Sequence, residues 1–536
     1  MPHHTTSQPR PRQAIGICLA VVAWTCPPLT AQSLTQIIDR EIGQHADGPV
    51  SERCDDGEFL RRVFLDLGGR IPTSAEARTF LDDRGEHKRT QLIDRLLASS
   101  DYPRRLQQFL TTTLLERRTD SKVTDAEWTG YLRETVAANK PWNELVTQLL
   151  FSEPREDKSL PPQARFFLVS GRADQHQKTR DIGRLFLGRD LMCAQCHNHP
   201  TIDDYLQADY FGLLSYLQDS PAKARTEFES VFNPGKKDTG PRLPGGQEVN
   251  IPKFEKGQEQ EALKHRPRLL LASSLPRAEN PLFVRNSVNR FWCLLMGRGL
   301  VHPLDMHHAN NPASHPKLLD ALAAHFSARK FDVRDLLRQI TLSAAYQRSS
   351  RLPAGASEAD VPPQSYRTAI TKPLSPEQMG WAVMQATGNL QRLAAAKPTE
   401  KSSFTYKDYI NGRIDGVPET LEDTIKLFVG VFGNPPGEPE VVFNPAMGHA
   451  LFLMNEPLIL NWLEPRPGNL MHRITQLKDQ DKLVEELYLS VLTRRPTPQE
   501  LEETAKYLQR FSEHRNSALH NLAWSLLASA EFRGNH

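Results

Sequence analysis

Apolar residues recur at helical spacing along most of this chain. Leu92, Ile93, Leu96 and Leu97 fall on one face of a helix, which is the pattern of an amphipathic helix packed on a core. Shortly before them, Thr73 is followed by a glutamate three residues later, the pattern of a capping box that begins a helix. Comparable segments follow almost to the end of the sequence. The pattern therefore predicts a mainly α fold.

A unit near the N-terminus recurs near the C-terminus. In residues 63–102 and 487–532, Thr73 and Thr497 each precede a glutamate by three residues. Each unit also closes on a Leu-Leu-Ala-Ser stretch, followed two residues later by an acidic and an aromatic residue. A repeated interaction module would explain this, and so would a reused helix–turn–helix unit. We favour the second interpretation, because the shared residues are suited to beginning and ending helices.

Residues 219–264 break the helical pattern and are rich in Pro, Gly, Lys and Glu. Two short β-prone stretches, 230–232 and 249–251, predict a small hairpin there. A chain of 536 residues is also too long for one ordinary core. We therefore predict two helical domains with a small β-hairpin in or near the linker. The predicted order is signal peptide 1–31, N-terminal domain 32–218, linker 219–270 and C-terminal domain 271–536.

Residues 1–31 have the order of a secretory signal. Arg10 and Arg12 supply its positive region, residues 14–24 supply its apolar region, and the segment ends in a small residue. The apolar run is shorter than the roughly 20 residues that span a bilayer. We expect an exported protein, periplasmic or at the cell surface, with no transmembrane span in the mature chain. An uncleaved anchor and a lipoprotein attached through Cys26 are the alternatives.

The charges nearly cancel, with 66 Lys and Arg against 64 Asp and Glu. A field strong enough to attract nucleic acid is therefore not expected, and we predict no nucleic-acid partner. The few cysteines beyond the signal do not make a disulfide scaffold for so long a chain. Cys54 and Cys293 lie far from the others in sequence, and we interpret them either as a disulfide or as two buried thiols.

The clearest chemical pattern is Cys193, Cys196 and His197, a Cys-x-x-Cys-His sequence. This spacing is that of c-type haem attachment, in which two thiols bond to the porphyrin and the adjacent histidine ligates the iron. Export agrees with it, because bacteria attach c-type haem outside the cytoplasm. We therefore predict haem c as the cofactor, with His197 as a ligand of the haem iron.

Other interpretations of this segment stay open. With His199, the two cysteines and His197 would supply four ligands for zinc or iron. A redox dithiol is a third interpretation, although no βαβ pattern surrounds the cysteines. The densest His and Met cluster elsewhere, residues 306–308, is interpreted as a solvated loop. The chain has no Gly-rich phosphate loop, Gly-x-Ser-x-Gly elbow or His-Glu-x-x-His helix, so the sequence does not decide whether the protein is an enzyme.

Several long runs resemble a known family. They are residues 59–73, 193–200, 209–211, 280–285, 288–292, 297–301, 311–316 and 374–378, together with the tail that ends in 530–532. The family comprises exported planctomycete cytochrome-like proteins, in which a cytochrome-c-like Cys-x-x-Cys-His domain adjoins a second domain of uncharacterised function. The resemblance implies export and a cytochrome-like protein without a settled activity. The family often has an aspartate where this chain has Asn198, so a metal role for that aspartate does not apply here.

These observations favour an exported c-type haem-binding protein of electron-transfer or redox-sensing type, acting with an extracytoplasmic redox or protein partner. The competing class is a secreted, non-catalytic scaffold or binding protein with a structural zinc or iron site at the Cys/His cluster. A metal-dependent hydrolase is a third class, which we disfavour because no acid–base pair stands out.

Overall fold

The structure is a computed structural model, and it describes residues 1, 32–118, 124–151, 174–217, 240–258, 261, 264–396, 404–411, 418–440 and 447–536. Residues Leu34–His536 form one compact unit. The predicted signal, apart from Met1, and the β-prone stretch 230–232 lie outside the described residues. Within the described residues, no helix is long and apolar enough to cross a membrane.

Helices dominate the described chain. The α-helices are Leu34–Gln44, Asp56–Val63, Ser74–Asp82, Lys88–Ala98, Asp101–Leu115, Asp125–Ala137, Trp142–Phe151, Gln175–Leu187, Gln207–Ser215, Pro267–Ser274, Pro281–Met296, Pro316–Ala328, Val333–Leu342, Pro376–Thr387, Leu390–Ala395, Tyr406–Ile410, Leu421–Phe432, Met447–Asn455, Pro457–Trp462, Leu470–Gln476, Gln480–Val491, Pro498–Arg510, Arg515–Ala528 and Ala530–Arg533. A π-helical turn spans Phe64–Gly68, and short 3-10 turns span Cys193–Gln195, Glu358–Asp360, Pro363–Ser365 and Ser512–His514. The strands are Lys372–Pro373 and Gly534–Asn535.

The predicted mainly α fold is confirmed, and local signals explain where helices begin. Thr73 Oγ1 accepts a hydrogen bond from the backbone N–H of Glu76 (3.1 Å). The Glu76 carboxylate accepts one from the backbone N–H of Thr73 (2.8 Å), which completes the capping box. The apolar stripe predicted within residues 92–97 is buried.

The two repeated units are held together in the same way. Arg70 forms ion pairs with the capping glutamate Glu76 and with Asp101, the first residue of a later helix. In the second unit, Arg494 makes the equivalent pairs with the capping glutamate and with the acidic residue that closes the unit. Each arginine therefore ties the start of one helix to the end of the unit, which agrees with a reused helix–turn–helix.

The small β element joins distant parts of the chain. Strand Lys372–Pro373 pairs antiparallel with strand Gly534–Asn535. The described parts of the predicted linker, 240–258, 261 and 264–270, contain no strand. There the backbone N–H of Val249 donates to the Pro241 carbonyl (2.7 Å) across a loop with turns, rather than into a ladder. The β element therefore lies outside the linker in which the hairpin is predicted.

Two clusters of buried apolar side chains form the core. The first combines segments from both sides of the predicted linker, from Leu34 to Tyr366, together with Leu489. The second consists mainly of residues from Leu374 to Phe532, joined by two apolar side chains from the N-terminal part. Apart from these few residues, the apolar clusters divide after Tyr366 in the sequence. The division into domains at 219–270 stays a prediction.

Asp66, in the π-helical turn, links segments that are far apart in the sequence. Its buried carboxylate accepts hydrogen bonds from Lys372 Nζ (2.6 Å), Tyr346 Oη (2.8 Å) and Asn535 Nδ2 (2.8 Å). A buried carboxylate is costly unless such partners satisfy it. The N-terminal turn, the middle of the chain and the second strand therefore meet at one point.

Candidate functional site

The Cys-x-x-Cys-His segment begins just after the helix Gln175–Leu187. Gly188 ends this helix in the left-handed conformation, with φ of 67°. A Cβ at this position would lie 2.6 Å from Cδ2 of His307 and 2.8 Å from Oδ1 of Asn286. L-residues rarely adopt this φ and the space is already filled, so glycine is required for the chain to turn here.

The motif itself forms one short turn at the surface. The Cys193 carbonyl accepts hydrogen bonds from the backbone N–H groups of Cys196 (3.3 Å) and His197 (3.4 Å). Both cysteines are free and exposed. His197 is half-buried, and its Nδ1 lies 2.6 Å from the carbonyl oxygen of Asn198. The structure therefore brings the three predicted haem-binding residues together.

Neighbouring polar groups fix the path of this turn. Asn198 Oδ1 accepts a hydrogen bond from the backbone N–H of Gln207 (2.9 Å), and the Gln207 side chain donates to the Cys196 carbonyl (3.0 Å). Gln207 is the first residue of a helix, so Asn198 satisfies one of the N–H groups that a helix leaves open at its start. The asparagine that departs from the family pattern thus has a structural role.

The contacts of His199 are with Tyr205 and Thr201 rather than with the two cysteines and His197. Its backbone N–H donates to the Tyr205 carbonyl (2.9 Å), and its ring packs edge-on against Tyr205 with the ring centroids 5.9 Å apart. Its Nδ1 accepts a hydrogen bond from the backbone N–H of Thr201 (3.2 Å). Across the described chain, no three His, Cys, Asp or Glu side chains are grouped so as to hold a metal ion. The four residues of the alternative zinc or iron site are not assembled in this geometry.

A segment of the C-terminal half packs beside the turn. Arg189 and Met306 form an antiparallel β-bridge, and the backbone N–H of His307 donates to the Gly188 carbonyl (2.9 Å). Sequence reasoning missed this support, because no local pattern records a contact between segments so far apart. The surroundings of the motif are therefore built by both halves of the chain.

The two histidines of this segment have different environments. His307 is buried, and its Nε2 lies 3.3 Å from Asn289 Nδ2. Burial, assisted by nearby arginines, lowers the pKa of His307 to about 3, so the ring is neutral. The prediction that residues 306–308 form a solvated loop is wrong for His307. His308 is half-buried, its ring centroid lies 5.5 Å from that of Tyr205, and its Nδ1 has no hydrogen-bond partner in the described chain.

Two exposed apolar side chains flank the motif. Met192, directly before Cys193, is 59% exposed, and Leu206, directly before Gln207, is 37% exposed. Each of these side chains offers apolar area that a bound apolar group could remove from water.

The donor set fits a covalently attached haem. Two exposed thiols are accessible to the vinyl groups of a porphyrin, and the next residue supplies an imidazole for the iron. With its Nδ1–H donated to the Asn198 carbonyl, His197 is held in the tautomer in which Nε2 carries the lone pair, which is the form of the ring that ligates a metal. When bound, a haem supplies one-electron redox chemistry.

Comparison with known families divides the chain into two parts. Residues 36–222 match the family model PSCyt2, described as a protein of unknown function (DUF1549), and residues 267–508 match PSD1, described as a protein of unknown function (DUF1553). The chain carries these two domains side by side. The predicted pair of adjoining uncharacterised domains is thereby confirmed. No curated protein and no solved structure gives a significant match.

The Cys-x-x-Cys-His turn lies in the PSCyt2 domain, and the segment that carries His307 lies in the PSD1 domain. The hydrogen bond between His307 and Gly188 therefore joins the two domains beside the motif.

Proposed function

We propose that this protein is an exported c-type haem protein that transfers electrons or senses redox state outside the cytoplasm. Cys193 and Cys196 hold the porphyrin through thioether bonds, and His197 ligates the iron. The observation that carries the proposal is the single surface turn on which two free, exposed thiols lie beside a half-buried imidazole. Export rests on the signal-like order of residues 1–31, and a redox or protein partner outside the cytoplasm follows from export.

The chain's own residues keep this turn ordered. Hydrogen bonds of Asn198 and Gln207 tie the motif to the next helix. The exposed side chains of Met192 and Leu206 offer apolar surface that a porphyrin can cover, at roughly 25 cal/mol for each Å² removed from water. The turn is thus held by hydrogen bonds of the chain, and haem would be attached to it through the two thioether bonds.

A structural zinc or iron site in a secreted scaffold is the second candidate. Such a site requires four converging ligands, whereas His199 is oriented toward Thr201 and Tyr205. A haem requires only two thiols and one imidazole from this segment. The geometry therefore favours haem over a metal knot.

The test is expression in cells that mature other c-type cytochromes, followed by haem staining of the denatured protein. We expect a stained wild-type band, because thioether bonds survive unfolding, and loss of staining in Cys193→Ser and Cys196→Ser. His197→Ala should change the visible spectrum through the iron's ligation. His199→Ala is the matched control and should keep both the staining and the spectrum.

A different outcome would identify the metal knot. A colourless protein with stoichiometric zinc, destabilised by His199→Ala as strongly as by Cys193→Ser, would contradict the haem proposal. Export is tested separately by N-terminal sequencing of the secreted protein, which should begin near Gln32. An envelope protein that begins at Met1 would contradict cleavage.

A further inference from the structure

A cavity of about 260 Å³ lies apart from the Cys-x-x-Cys-His turn, none of whose residues line it. Its walls include Asp66 of the π-helical turn, one face of the helix Asp101–Leu115, part of the helix Pro281–Met296, and residues of both strands. The volume is near the lower end of the roughly 300–1,000 Å³ that small-molecule pockets enclose. The cavity is therefore large enough to hold a small ligand.

Charged side chains of both signs line this cavity. The cations are Arg105, Arg184, Arg290 and Lys372, and the carboxylates are Asp66, Glu116, Glu377 and Glu440. Three of the cations form ion pairs with carboxylates. In one of these pairs, Lys372 Nζ lies 2.6 Å from Asp66 Oδ1. Most of the charge in the walls is therefore already compensated within the protein.

Arg105 is the exception. Its side chain is buried, and among the described residues it has neither a hydrogen bond nor an ion pair. The carboxylates of Asp66 and Glu377 attract Arg105 electrostatically but form no ion pair with it. Their own partners are other cations: Lys372 Nζ lies 2.6 Å from Asp66 Oδ1, and Arg117 Nη1 lies 2.9 Å from Glu377 Oε1. Burial lowers the pKa of Arg105, but a guanidinium stays protonated at neutral pH.

The position of this guanidinium is fixed by packing. Gly69 has φ of 69°, and a Cβ there would lie 2.9 Å from Arg105 Cδ, so the stem of Arg105 packs on bare backbone. An unpaired buried charge costs stability, and the adjacent Arg104 avoids this cost with a hydrogen bond to the Gly68 carbonyl (2.7 Å). A buried charged group that lowers stability and is held in one position is typical of a binding site.

We propose that the cavity binds a small hydroxylated carboxylic acid, such as a sugar acid, with its carboxylate on Arg105. A guanidinium and a carboxylate match in shape and can form two parallel hydrogen bonds. A single negative charge suits the site, because Arg105 is the one lining cation of the described chain that has no carboxylate partner, and one carboxylate compensates it.

The remaining walls suit the rest of such a ligand. Thr112, Thr113 and Ser375 supply hydroxyl groups, and Gln108 Oε1 is buried without a hydrogen-bond partner in the described chain. Phe109 offers an apolar face to ring or chain carbons. Hydroxyl groups beside the carboxylate would therefore find donors and acceptors.

The site is shared between the two matched domains. Asp66 and Arg105 lie in the PSCyt2 domain, whereas Arg290 and Lys372 lie in the PSD1 domain. A ligand in the cavity would contact both, which gives a physical reason for the domains to occur in one chain. This inference does not depend on haem attachment at Cys193.

The test is thermal unfolding of the full mature chain with gluconate and glucuronate, and with glucose as the neutral counterpart. We expect both acids to raise the unfolding temperature in a concentration-dependent manner and glucose to leave it unchanged. Arg105→Met should abolish this rise. It should also raise the unfolding temperature of the ligand-free protein, because an unpaired buried charge has been removed.

Arg104→Gln is the matched control, because Arg104 lies on the same helix and is equally buried but is already hydrogen-bonded. It should lower the unfolding temperature yet keep the response to both acids. Arg105→Lys retains the charge without the bidentate geometry and should keep part of the response, so the test remains informative if Arg105→Met does not fold. No rise with either acid, an equal rise with glucose, a response that survives Arg105→Met, or a larger rise with sulfate or phosphate would overturn the proposal.

Discussion

The Cys-x-x-Cys-His turn and the Arg105 cavity present their chemical groups in opposite ways. On the turn, the thiols of Cys193 and Cys196 are exposed, and the surrounding hydrogen bonds hold the backbone rather than the reactive atoms. In the cavity, charged side chains are buried or half-buried and engage one another, and Arg105 is the one lining cation of the described chain without a carboxylate partner. The proposed thioether bonds at the exposed turn would survive loss of the fold, whereas a cavity built from both halves exists only in the folded chain. A substitution that unfolds the core should therefore abolish the cavity and leave haem staining of the chain unchanged.

The largest effect, and the clearest difference between the two regions, is expected when the buried ion pair of Lys372 with Asp66 is broken. Lys372→Met leaves this carboxylate without its cationic partner, and we expect a loss of about 3–5 kcal/mol in the free energy of unfolding by urea. Haem staining of the denatured chain should persist. The exposed pair of Lys506 with Glu502 supplies the control, since Lys506→Met should leave stability close to unchanged. Equal effects of the two substitutions would refute the role given to the buried pair.

Low pH should reduce stability through His307, which packs beside the Cys-x-x-Cys-His turn. Burial holds the pKa of His307 at about 3, below its ordinary value of 6.5. The stability contributed by the neutral ring is complete above about pH 6.5 and is lost as the pH falls toward 3, because only the unfolded chain then takes up the proton. Between about pH 7 and pH 4 we expect His307 to account for about 3 kcal/mol of lost stability.

Urea unfolding across this pH range measures the contribution of His307. His307→Gln should flatten the pH dependence, whereas His87→Gln, at an exposed position, should leave it as in the wild type. If His307→Gln keeps the full wild-type slope, the acid sensitivity comes from other groups.

A smaller effect is expected at Gly188, which directly precedes the β-bridge of Arg189 with Met306. Gly188→Ala forces an unfavourable φ and a contact with His307, and should lower the free energy of unfolding by about 1–3 kcal/mol. Gly130→Ala is the matched control inside the helix Asp125–Ala137, where a Cβ meets nothing within 4 Å. It should raise stability by about 0.5–1 kcal/mol. A neutral or stabilising Gly188→Ala would show that the turn tolerates a different path.

The smallest effect concerns Asn198. Removal of its side-chain acceptor in Asn198→Ala should cost about 1 kcal/mol, because the N–H at the start of the helix Gln207–Ser215 loses its partner. Asn198→Asp keeps the acceptor and should restore stability. Haem staining should be the same in all three proteins, and its loss in Asn198→Ala would mean that the hydrogen bond is needed for attachment rather than for order.

Features made by neighbours in the sequence could be predicted, and features made by distant segments could not. The capping box at Thr73 depends on residues three apart, and the turn at 193–197 depends on five consecutive residues. The burial of His307 depends on its meeting Gly188, and the strand Lys372–Pro373 is too short to produce an alternating pattern. The cavity around Arg105 was missed for the same reason, since no spacing in the sequence records which charges will be paired.

Asp66 also sets an order of events during folding. Its partners Tyr346, Lys372 and Asn535 lie 280, 306 and 469 residues further along the chain. Until all three have been synthesised, the turn that carries Asp66 cannot be buried without an incompletely compensated charge. Contacts across such separations also form slowly, because the intervening chain must first be brought together. The N-terminal segment should therefore reach its native packing only after Asn535 has left the ribosome, and shorter nascent chains should contain no native N-terminal domain.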